Sequence, residues 1–404
     1  MNIFIAILAL GILILVHEAG HFFTARLVGM RPRRFYVGFP PALVKVERGG
    51  IEYGIGSIPL GGYVKLPGMH RPAASDVDVY FGRALQQAPG LSRRVEHVKR
   101  PLAAGELERA QTALPALESE LHGVRLSPDA TRAADRGIRE LRDGLSPEAY
   151  WRQRPWKRIA VIAAGPVTNL LLAVVLFAVL FMLGGGEPTR TIDSLLPGAP
   201  AERIGIRPGD TILEINGTPV SPREIPDLIS SSGGRPLTVE IERNGRRLEL
   251  GPVRPARTEG SYRLGFVLRG EGLAGPSAVW RSVELTGLVT REIGRSLGRL
   301  VTGSGREDVS SPVGIVQGSS DALDEGTQNF LWVLGLISLS LALLNLLPLL
   351  PLDGGHIVFS LVEALRGRAV GREVYERVSA VGIALVVILF AIGLSNDIGR
   401  LGGG

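Results

Sequence analysis

The chain has 404 residues, which is too long for one ordinary domain and predicts two or three units. Its hydrophobic fraction of 45% suits a membrane protein with soluble parts, and the lack of cysteine excludes disulfides and thiolate metal ligands. The formal net charge is +6, but the arginines cluster beside apolar segments, which indicates membrane topology and not nucleic-acid binding.

Four apolar segments have lengths suited to crossing a bilayer, which takes about 20 residues. They are residues 3–28, 159–183, 330–352 and 378–394, of which the last is marginal alone. The first differs from a secretory signal peptide, because it has no basic region before it and no clear small-residue cleavage site after it. We therefore predict four transmembrane helices.

The first of these segments contains His17-Glu18-Ala19-Gly20-His21. Residues four apart lie on one helix face, so both imidazoles can bind one Zn²⁺ ion. Glu18 can take a proton from water that the metal activates. Because ionisable groups inside a membrane are costly, the motif predicts zinc-dependent hydrolysis within the bilayer. A chance match in an ordinary helix is the alternative.

Residues 30–70 form a glycine- and proline-rich region with short β-like runs. Gly49-Gly50 stands between two of them as a hairpin turn, so we predict one or two hairpins associated with the membrane. An ordinary soluble β loop is the alternative. The next segment, 71–150, is charged and alanine-rich, with apolar residues at helical spacing. It predicts a helical cytoplasmic insertion without chemistry of its own.

Residues 187–271 predict a compact β-rich domain, with hairpin turns at Asn216-Gly217 and Asn244-Gly245. Its signature resembles a PDZ domain, a module that captures extended peptides by strand addition. A spacer or steric plug is the alternative. Residues 279–301 then form an amphipathic pattern, which fits a helix on the outer membrane surface, a clamp on the preceding domain, or a soluble packed helix.

A catalytic zinc usually holds three protein ligands, and the helical motif supplies two. Asp353 is the preferred third ligand, because prolines before it and glycines after it break the helix at the end of an uncharged span. Glu47, Glu52 and His356 are alternatives. Basic residues cluster at 26–34, 152–158 and 366–377, which places these segments inside and both termini outside. Asp353 and His21 then lie near the same, cytoplasmic side.

Two separated motifs stand out: H-E-A-G-H at 17–21 and N-x-x-P-x-x-x-x-D-G-G-H at 345–356. Together with the four spans and the PDZ-like domain, they resemble the pattern of bacterial site-2 proteases. These are zinc metalloproteases of regulated intramembrane proteolysis. The fold class is thus a polytopic α-helical membrane protein with a membrane-associated β-hairpin region and one extracytoplasmic PDZ-like domain. The expected segments are a first span (1–29), a β region (30–70), an insertion (71–150), a second span (151–186), a PDZ-like domain (187–271), an amphipathic helix and linker (272–329), a third span (330–356), and a loop with the fourth span (357–404).

The resemblance implies particular roles for residues of this chain. His17, His21 and Asp353 would hold one Zn²⁺, and Glu18 would be the general acid/base. Residues implied to shape the substrate path or to stabilise the oxyanion are Asn169, Asn345, Pro348, Gly61, Gly62 and Tyr63. The insertion at 71–150 and the single PDZ-like domain depart from some relatives, which bears on regulation and substrate choice.

The expected reaction is hydrolysis of transmembrane segments of single-span proteins, such as anti-sigma factors or remnant signal peptides, in the bacterial inner membrane. The resemblance implies that another protease cuts these substrates first. No nucleic-acid partner is expected. The rival readings are a non-enzymatic receptor or adaptor that works through its PDZ-like domain, and a transporter with a broken third helix. The transporter is disfavoured because the two halves show no internal repeat.

Overall fold

The computed structural model describes residues 1–185, 187–258, 260–302, 304–306, 309–368, 370 and 372–402. The chain forms two compact units, and each has its own architecture. The first unit comprises residues 1–172, 292–324 and 336–404, and the second comprises residues 173–291 and 325–335.

Helices make up most of the described chain. They are α1 (Asn2–Leu27), α2 (Ala74–Gln87), α3 (Ser92–Ala104), α4 (Leu107–His122), α5 (Pro128–Leu145), α6 (Pro155–Leu180, extended by a π turn to Gly185), α7 (Pro200–Arg203), α8 (Glu224–Ser231), α9 (Gly275–Val301), α10 (Pro312–Asp324), α11 (Thr327–Asn345), α12 (Asp353–Arg366) and α13 (Arg372–Gly402). The strands are β1 (Arg34–Arg48), β2 (Ile51–Lys65), β3 (Glu187–Leu195), β4 (Thr211–Ile215), β5 (Thr218–Pro219), β6 (Leu237–Arg243), β7 (Arg246–Val253), β8 (Ala256–Thr258), β9 (Ser261–Arg263) and β10 (Phe266–Glu271).

Four helices among the described residues are long and apolar enough to cross a membrane: Asn2–Leu27, Pro155–Gly185, Thr327–Asn345 and Val374–Arg400. Their number agrees with the sequence prediction, but the bounds of the third and fourth helices differ clearly from it. The third helix ends at Asn345 and not at residue 352, because Pro348 and Pro351 cannot continue a helix. The fourth helix is 27 residues long, since polar residues at both ends of its apolar run remain helical.

The first membrane helix shows why its two faces differ. Buried positions recur every three or four residues along α1, at Leu13, His17, His21 and Ala25, and form one stripe. Large apolar side chains elsewhere on the helix are exposed, and they are Ile3, Phe4, Ile7, Leu8, Ile12, Leu15, Phe23 and Leu27. An apolar helix with such an exposed surface suits lipid contact on one side and protein contact on the other.

The β region after α1 is one long irregular hairpin. Arg48 pairs with Ile51 across Gly49-Gly50, and both glycines have positive φ angles of 62° and 74°. This confirms the predicted turn, because a two-residue turn of that type needs left-handed backbone. Residues 34–37 of β1 pair with residues 52–55 on one side and with residues 62–65 on the other. The start of β1 is therefore the central strand of a small three-stranded ribbon.

The insertion between the first two spans is a helical domain with its own core. The predicted helices correspond to α4 and α5, and α2 and α3 complete the group. Its fully buried large side chains include Phe81, Leu91, Leu117, Leu141 and Leu145. Ion pairs attach α5 to the hairpin: Arg33 Nε lies 2.8 Å from Asp143, and Lys65 Nζ lies 2.5 Å from Glu140. The insertion therefore holds the base of the β region.

The second unit contains a six-stranded sheet with strand order β10-β3-β4-β6-β7, in which β5 pairs with β4. Asn216-Gly217 joins β4 to β5, and Asn244-Gly245 joins β6 to β7. All four residues have positive φ angles, which confirms both predicted turns. The core consists of alternate apolar side chains of the strands with residues of α7 and α8, including Ile192, Ile212, Ile225, Val239 and Ile241.

Candidate active site

Three side chains from two distant parts of the sequence converge in the first unit. His17 and His21 Nε2 atoms lie 3.2 Å apart, and Oδ2 of Asp353 lies 3.2 Å from the first and 3.3 Å from the second. Both imidazoles are buried. Among the described residues, this is the group of His, Asp and Glu side chains whose spacing suits a metal ion. The proximity that the sequence predicted between His21 and Asp353 is present.

The geometry of these atoms fits zinc. Two tetrahedral ligands at zinc–nitrogen or zinc–oxygen distances of about 2.0–2.1 Å lie about 3.3 Å apart, which matches the three observed separations. Two nitrogens and one carboxylate oxygen are a donor set that zinc accepts, with a fourth position left for water. Asp353 Oδ2 is buried and makes no hydrogen bond with the described residues. A bound cation would give this oxygen the polar partner that buried oxygens normally have.

The orientation of His21 is set by α6. Its Nδ1 lies 2.8 Å from the carbonyl oxygen of Val161, so Nδ1 carries the proton and donates it. The lone pair of Nε2 is then directed at the convergence point with His17 and Asp353. A metal-binding histidine commonly has this arrangement, because the second hydrogen bond fixes both tautomer and ring plane.

The helices α1 and α6 approach closely at the histidines because glycines meet there. A Cβ atom on Gly20 would lie 2.6 Å from both the Ala164 carbonyl oxygen and the Thr168 Oγ1 atom. A Cβ atom on Gly165 would lie 2.8 Å from His17 Nε2 and would also overlap the ring of His21. Small residues at this crossing therefore make room for the imidazoles.

Asp353 is the first residue of α12, where the helix dipole favours a carboxylate. The two glycines that follow pack directly on the chain at 346–350. A Cβ on Gly355 would lie 2.6 Å from the Leu350 nitrogen, and one on Gly354 would overlap the carbonyl of Leu346.

A cavity of about 430 Å³ opens beside the three candidate ligands. Glu18 lines it from α1, and β2 faces it from the other side. The carboxylate of Glu18 interacts with the backbone of Val64, and its Cγ lies where a side chain on Gly62 would be. A carboxylate at this place can exchange protons with a molecule held in the cavity.

The substrate-path residues implied by the resemblance fall into two groups. Gly61, Gly62, Tyr63 and Asn345 line the cavity. Asn169 and Pro348 are absent from its lining. The Asn169 side chain is fully buried, and neither of its polar atoms has a partner among the described residues. Asn345 donates to the Leu341 carbonyl within its own helix at 3.0 Å, which occupies one of its protons.

Sequence reasoning missed several apolar residues of the cavity, namely Ile14, Leu66, Met69, Ile162, Leu341 and Pro351. Ile14 and Leu341 could have been found from spacing, since each lies three or four residues from a predicted site residue on the same helix. Met69 and Ile162 carry no such signal, because only the packing of separate elements brings them to the cavity.

The alternative third ligands lie outside the three-residue group. Burial lowers the pKa of His356 to about 4, and the Tyr375 hydroxyl is 2.5 Å from its Nδ1. The Tyr36 hydroxyl donates to Glu52 at 2.8 Å and holds the pKa of that carboxyl below its usual value. Glu47 is exposed on β1. None of these groups faces the two histidines as Asp353 does.

The family model described as peptidase family M50 matches residues 5–389, and the chain belongs to this family. Membership confirms the resemblance to site-2 proteases and the expectation that the protein is an enzyme, a peptidase embedded in the membrane. The adaptor and transporter readings are accordingly set aside.

Relatives are similar along nearly their whole length. A Rhizobium meliloti protein, whose name assigns it as a zinc metalloprotease, is 33% identical over 98% of this chain and 95% of its own. The zinc metalloprotease RasP of Geobacillus kaustophilus is 30% identical over 97% of this chain and 96% of its own. Protease RseP of Yersinia pestis is 28% identical over 98% of each chain.

Proposed function

We propose that this chain is a zinc-dependent intramembrane endopeptidase that cleaves transmembrane segments of single-span membrane proteins. The observation that carries the proposal is the convergence of His17, His21 and Asp353 at separations that suit one tetrahedral ion. The cofactor is one Zn²⁺ per chain, and these three residues hold it. The zinc metalloprotease names of the relatives support this cofactor.

Bound zinc supplies Lewis-acid chemistry, by which it polarises a carbonyl and makes water more acidic. Glu18 is the general acid/base of the reaction. Its carboxylate takes a proton from the attacking water and passes it to the nitrogen of the departing amine. The water oxygen ends on the carbonyl carbon as the carbon–nitrogen bond breaks. His21 keeps its orientation throughout, because Val161 holds its Nδ1 proton.

A helical substrate must unwind before its peptide bond reaches these groups, since the bond is shielded by intrahelical hydrogen bonds. Lipid offers no replacement partners for the exposed backbone. Residues 62–65 are the outer segment of the β ribbon, and Gly62, Tyr63 and Val64 of this segment line the cavity. They supply hydrogen bonds to the unwound segment by strand addition. Gly61, Gly62 and Tyr63 thus form the substrate-binding edge, with Asn345 across the cavity.

The arrangement in the membrane follows from the basic residues that flank the spans. Both termini and residues 187–271 lie outside the cytoplasm, and the zinc site lies near the cytoplasmic side of the inner membrane. Residues 187–271 act as a PDZ-like filter for substrates that another protease has shortened. Anti-sigma factors and remnant signal peptides have the single span that such a filter admits.

The test compares purified wild-type protein with Glu18→Gln, which has the same size but cannot carry the proton. We expect both proteins to bind about one zinc, and only the wild type to cleave a model single-span protein. Glu108→Gln, on the exposed face of α4, is the matched control and should cleave normally. Cleavage by Glu18→Gln at the wild-type rate would refute the role of Glu18.

A further inference from the structure

A second cavity of about 1010 Å³ lies next to the catalytic cavity in the first unit. Met69 and His356 line both cavities, so the two spaces adjoin at these side chains. Tyr375 lines the second cavity and contacts His356 at 2.5 Å.

Three parts of the chain build the walls, and one of them is the segment 150–158 that leads into α6. The insertion contributes residues 71–74 at its beginning and residues 102–105 at the end of α3. The opposite wall comes from α12 and the beginning of α13. The helical insertion, for which the sequence indicated no chemistry, therefore forms a surface beside the active site. A volume at the upper end of the usual range of ligand pockets, about 300–1,000 Å³, can admit a stretch of peptide.

The charges of this cavity are unbalanced. Three arginines line it, Arg71, Arg158 and Arg368, against one carboxylate, Glu363. Buried Arg158 already uses that carboxylate, because its Nη2 lies 2.5 Å from Glu363 and 2.9 Å from the Ser360 hydroxyl.

The other two arginines are exposed and remain available. Arg71 lies 5.7 Å from the Trp151 ring centroid, a contact that leaves its fork of N–H donors free. Neither Arg71 nor Arg368 forms an ion pair with any residue that the structure describes. His356 has a pKa of about 4, lowered by burial, so it adds no charge at neutral pH. Within the described part of the chain, the cavity consequently presents two guanidinium groups without an ion-pair partner.

We propose that the second cavity is a carboxylate-binding subsite, which receives the cleaved end of a substrate fragment through Arg71 and Arg368. The inference rests on the proposed function, because hydrolysis of a peptide bond gives one fragment a new terminal carboxylate and the other an amine. A guanidinium matches a carboxylate with two parallel hydrogen bonds. An acidic side chain near the cleaved end offers the same chemistry as the new terminus. The fragment with the carboxylate moves into this cavity beside Met69 and His356, which line both spaces, while the amine fragment gains nothing from it.

The test measures binding of fluorescent fragment peptides to the full-length zinc-loaded Glu18→Gln protein in detergent micelles, by anisotropy. One peptide ends in a free carboxylate, a second is amidated at the same residue, and a third is amidated but carries glutamate next to its end. We expect amidation to weaken binding about tenfold, and the Arg71→Ala/Arg368→Ala double variant to remove this difference. If the third peptide binds as tightly as the first, the subsite accepts a side-chain carboxylate as well as a terminal one.

Two further variants complete the design. Arg93→Ala removes an exposed arginine of α3 outside the cavity and should leave the preference unchanged. Arg71→Lys/Arg368→Lys keeps the charge and should restore part of it. Equal binding of all three peptides to the parent protein would overturn the inference. Vesicles that contain phosphatidylglycerol test a lipid headgroup as the ligand. If the vesicles abolish the preference and the peptides do not compete with each other, the inference is overturned in favour of the headgroup.

The two proposals fail in distinguishable ways. If wild-type protein cleaves single-span substrates but binds carboxylate and amide peptides alike, the subsite is wrong and the proposed function stands. If zinc-loaded wild-type protein cleaves no such substrate, the proposed function is wrong whatever the peptides show.

Discussion

The Nε2 atom of His17 lies 3.2 Å from Oδ2 of Asp353, although the two residues stand at opposite ends of the chain. The contact depends on where two helices end and begin. His17 belongs to the buried stripe of α1, and Asp353 opens α12 after the proline-containing segment that ends α11. The three candidate ligands therefore come from α1 and α12, both in the first unit.

Removing the carboxylate should release the metal. We expect Asp353→Ala to lower zinc from about one per chain to well below half and to abolish cleavage, because two imidazoles alone bind zinc weakly. Metal analysis of the purified protein measures this. His356→Ala is the matched control, since its ring contacts Tyr375 and lies outside the ligand group. Unchanged stoichiometry in Asp353→Ala would transfer the ligand role to His356 or Glu47.

The glycine at the helix crossing gives a steric test. Gly165→Ala would place a methyl group 2.8 Å from His17 Nε2, so the imidazoles must move apart. We expect zinc affinity to fall at least tenfold and stability to fall by about 1–3 kcal/mol, as for other overpacked sites. Competition with a zinc-binding dye gives the affinity. Gly11→Ala on α1 has no atom within 4 Å of the added group and should behave as wild type, and equal affinities for both variants would contradict the packing argument.

Chelation should stop the reaction without unfolding the protein. The site is also held by the Val161 carbonyl and by the crossing of α1 with α6, neither of which involves a metal. We expect o-phenanthroline to abolish cleavage, zinc to restore it, and far-ultraviolet circular dichroism to stay unchanged. Cleavage that survives complete removal of zinc would exclude a metallopeptidase mechanism.

An ion pair between Asp210, whose carboxylate is buried, and Arg243 stabilises the sheet in the second unit. Asp210 accepts hydrogen bonds from Arg243 at 2.7 and 2.6 Å and from the Arg207 amide at 2.7 Å. We expect Asp210→Asn to lower the local free energy of unfolding by about 1–3 kcal/mol, because the charge-assisted bonds to Arg243 are lost while its side chain, 23% exposed, stays partly solvated. Hydrogen exchange of β4 and β6 in the full chain measures this. Asp193→Asn, in an exposed pair with Arg269, should cost under about 1 kcal/mol.

The same carboxylate predicts a pH dependence. Burial acts to raise the pKa of Asp210, but its bonds with Arg243 and Arg207 outweigh this and lower the pKa below its usual value near 3.8. The pair therefore contributes fully above about pH 4 and is lost as the pH falls through the lowered value. Protection of β4 and β6 should drop below pH 4 in the wild type and much less in Asp210→Asn. Parallel curves for the two proteins would contradict the assignment.

Local spacing was enough to predict the part of the candidate site that lies on α1. His17, Glu18 and His21 share one helix, so their relative positions follow from helix geometry. Asp353 could be proposed because prolines and glycines mark a helix break, and the structure places that break as a helix end at Asn345. The hairpin turns at Gly49-Gly50 and Asn216-Gly217 were likewise local.

The remaining features depend on tertiary packing, which periodicity does not encode. Nothing in its own segment reveals that Gly165 lies against the imidazoles or that Arg71 borders a cavity shared with α12. Asn169 illustrates the opposite case: the resemblance assigns it to the site, yet it is buried away from the lining of the cavity.

The glycine pair after Asp353 has a consequence for mutational scanning. Gly354 and Gly355 press against the backbone at 346–350, so every L-amino acid, alanine included, would tilt the start of α12. Such a scan would score both positions as severely as the metal ligands, although neither offers a functional group. The tolerance map of this protein will therefore register distances between main chains as strongly as it registers reactive atoms.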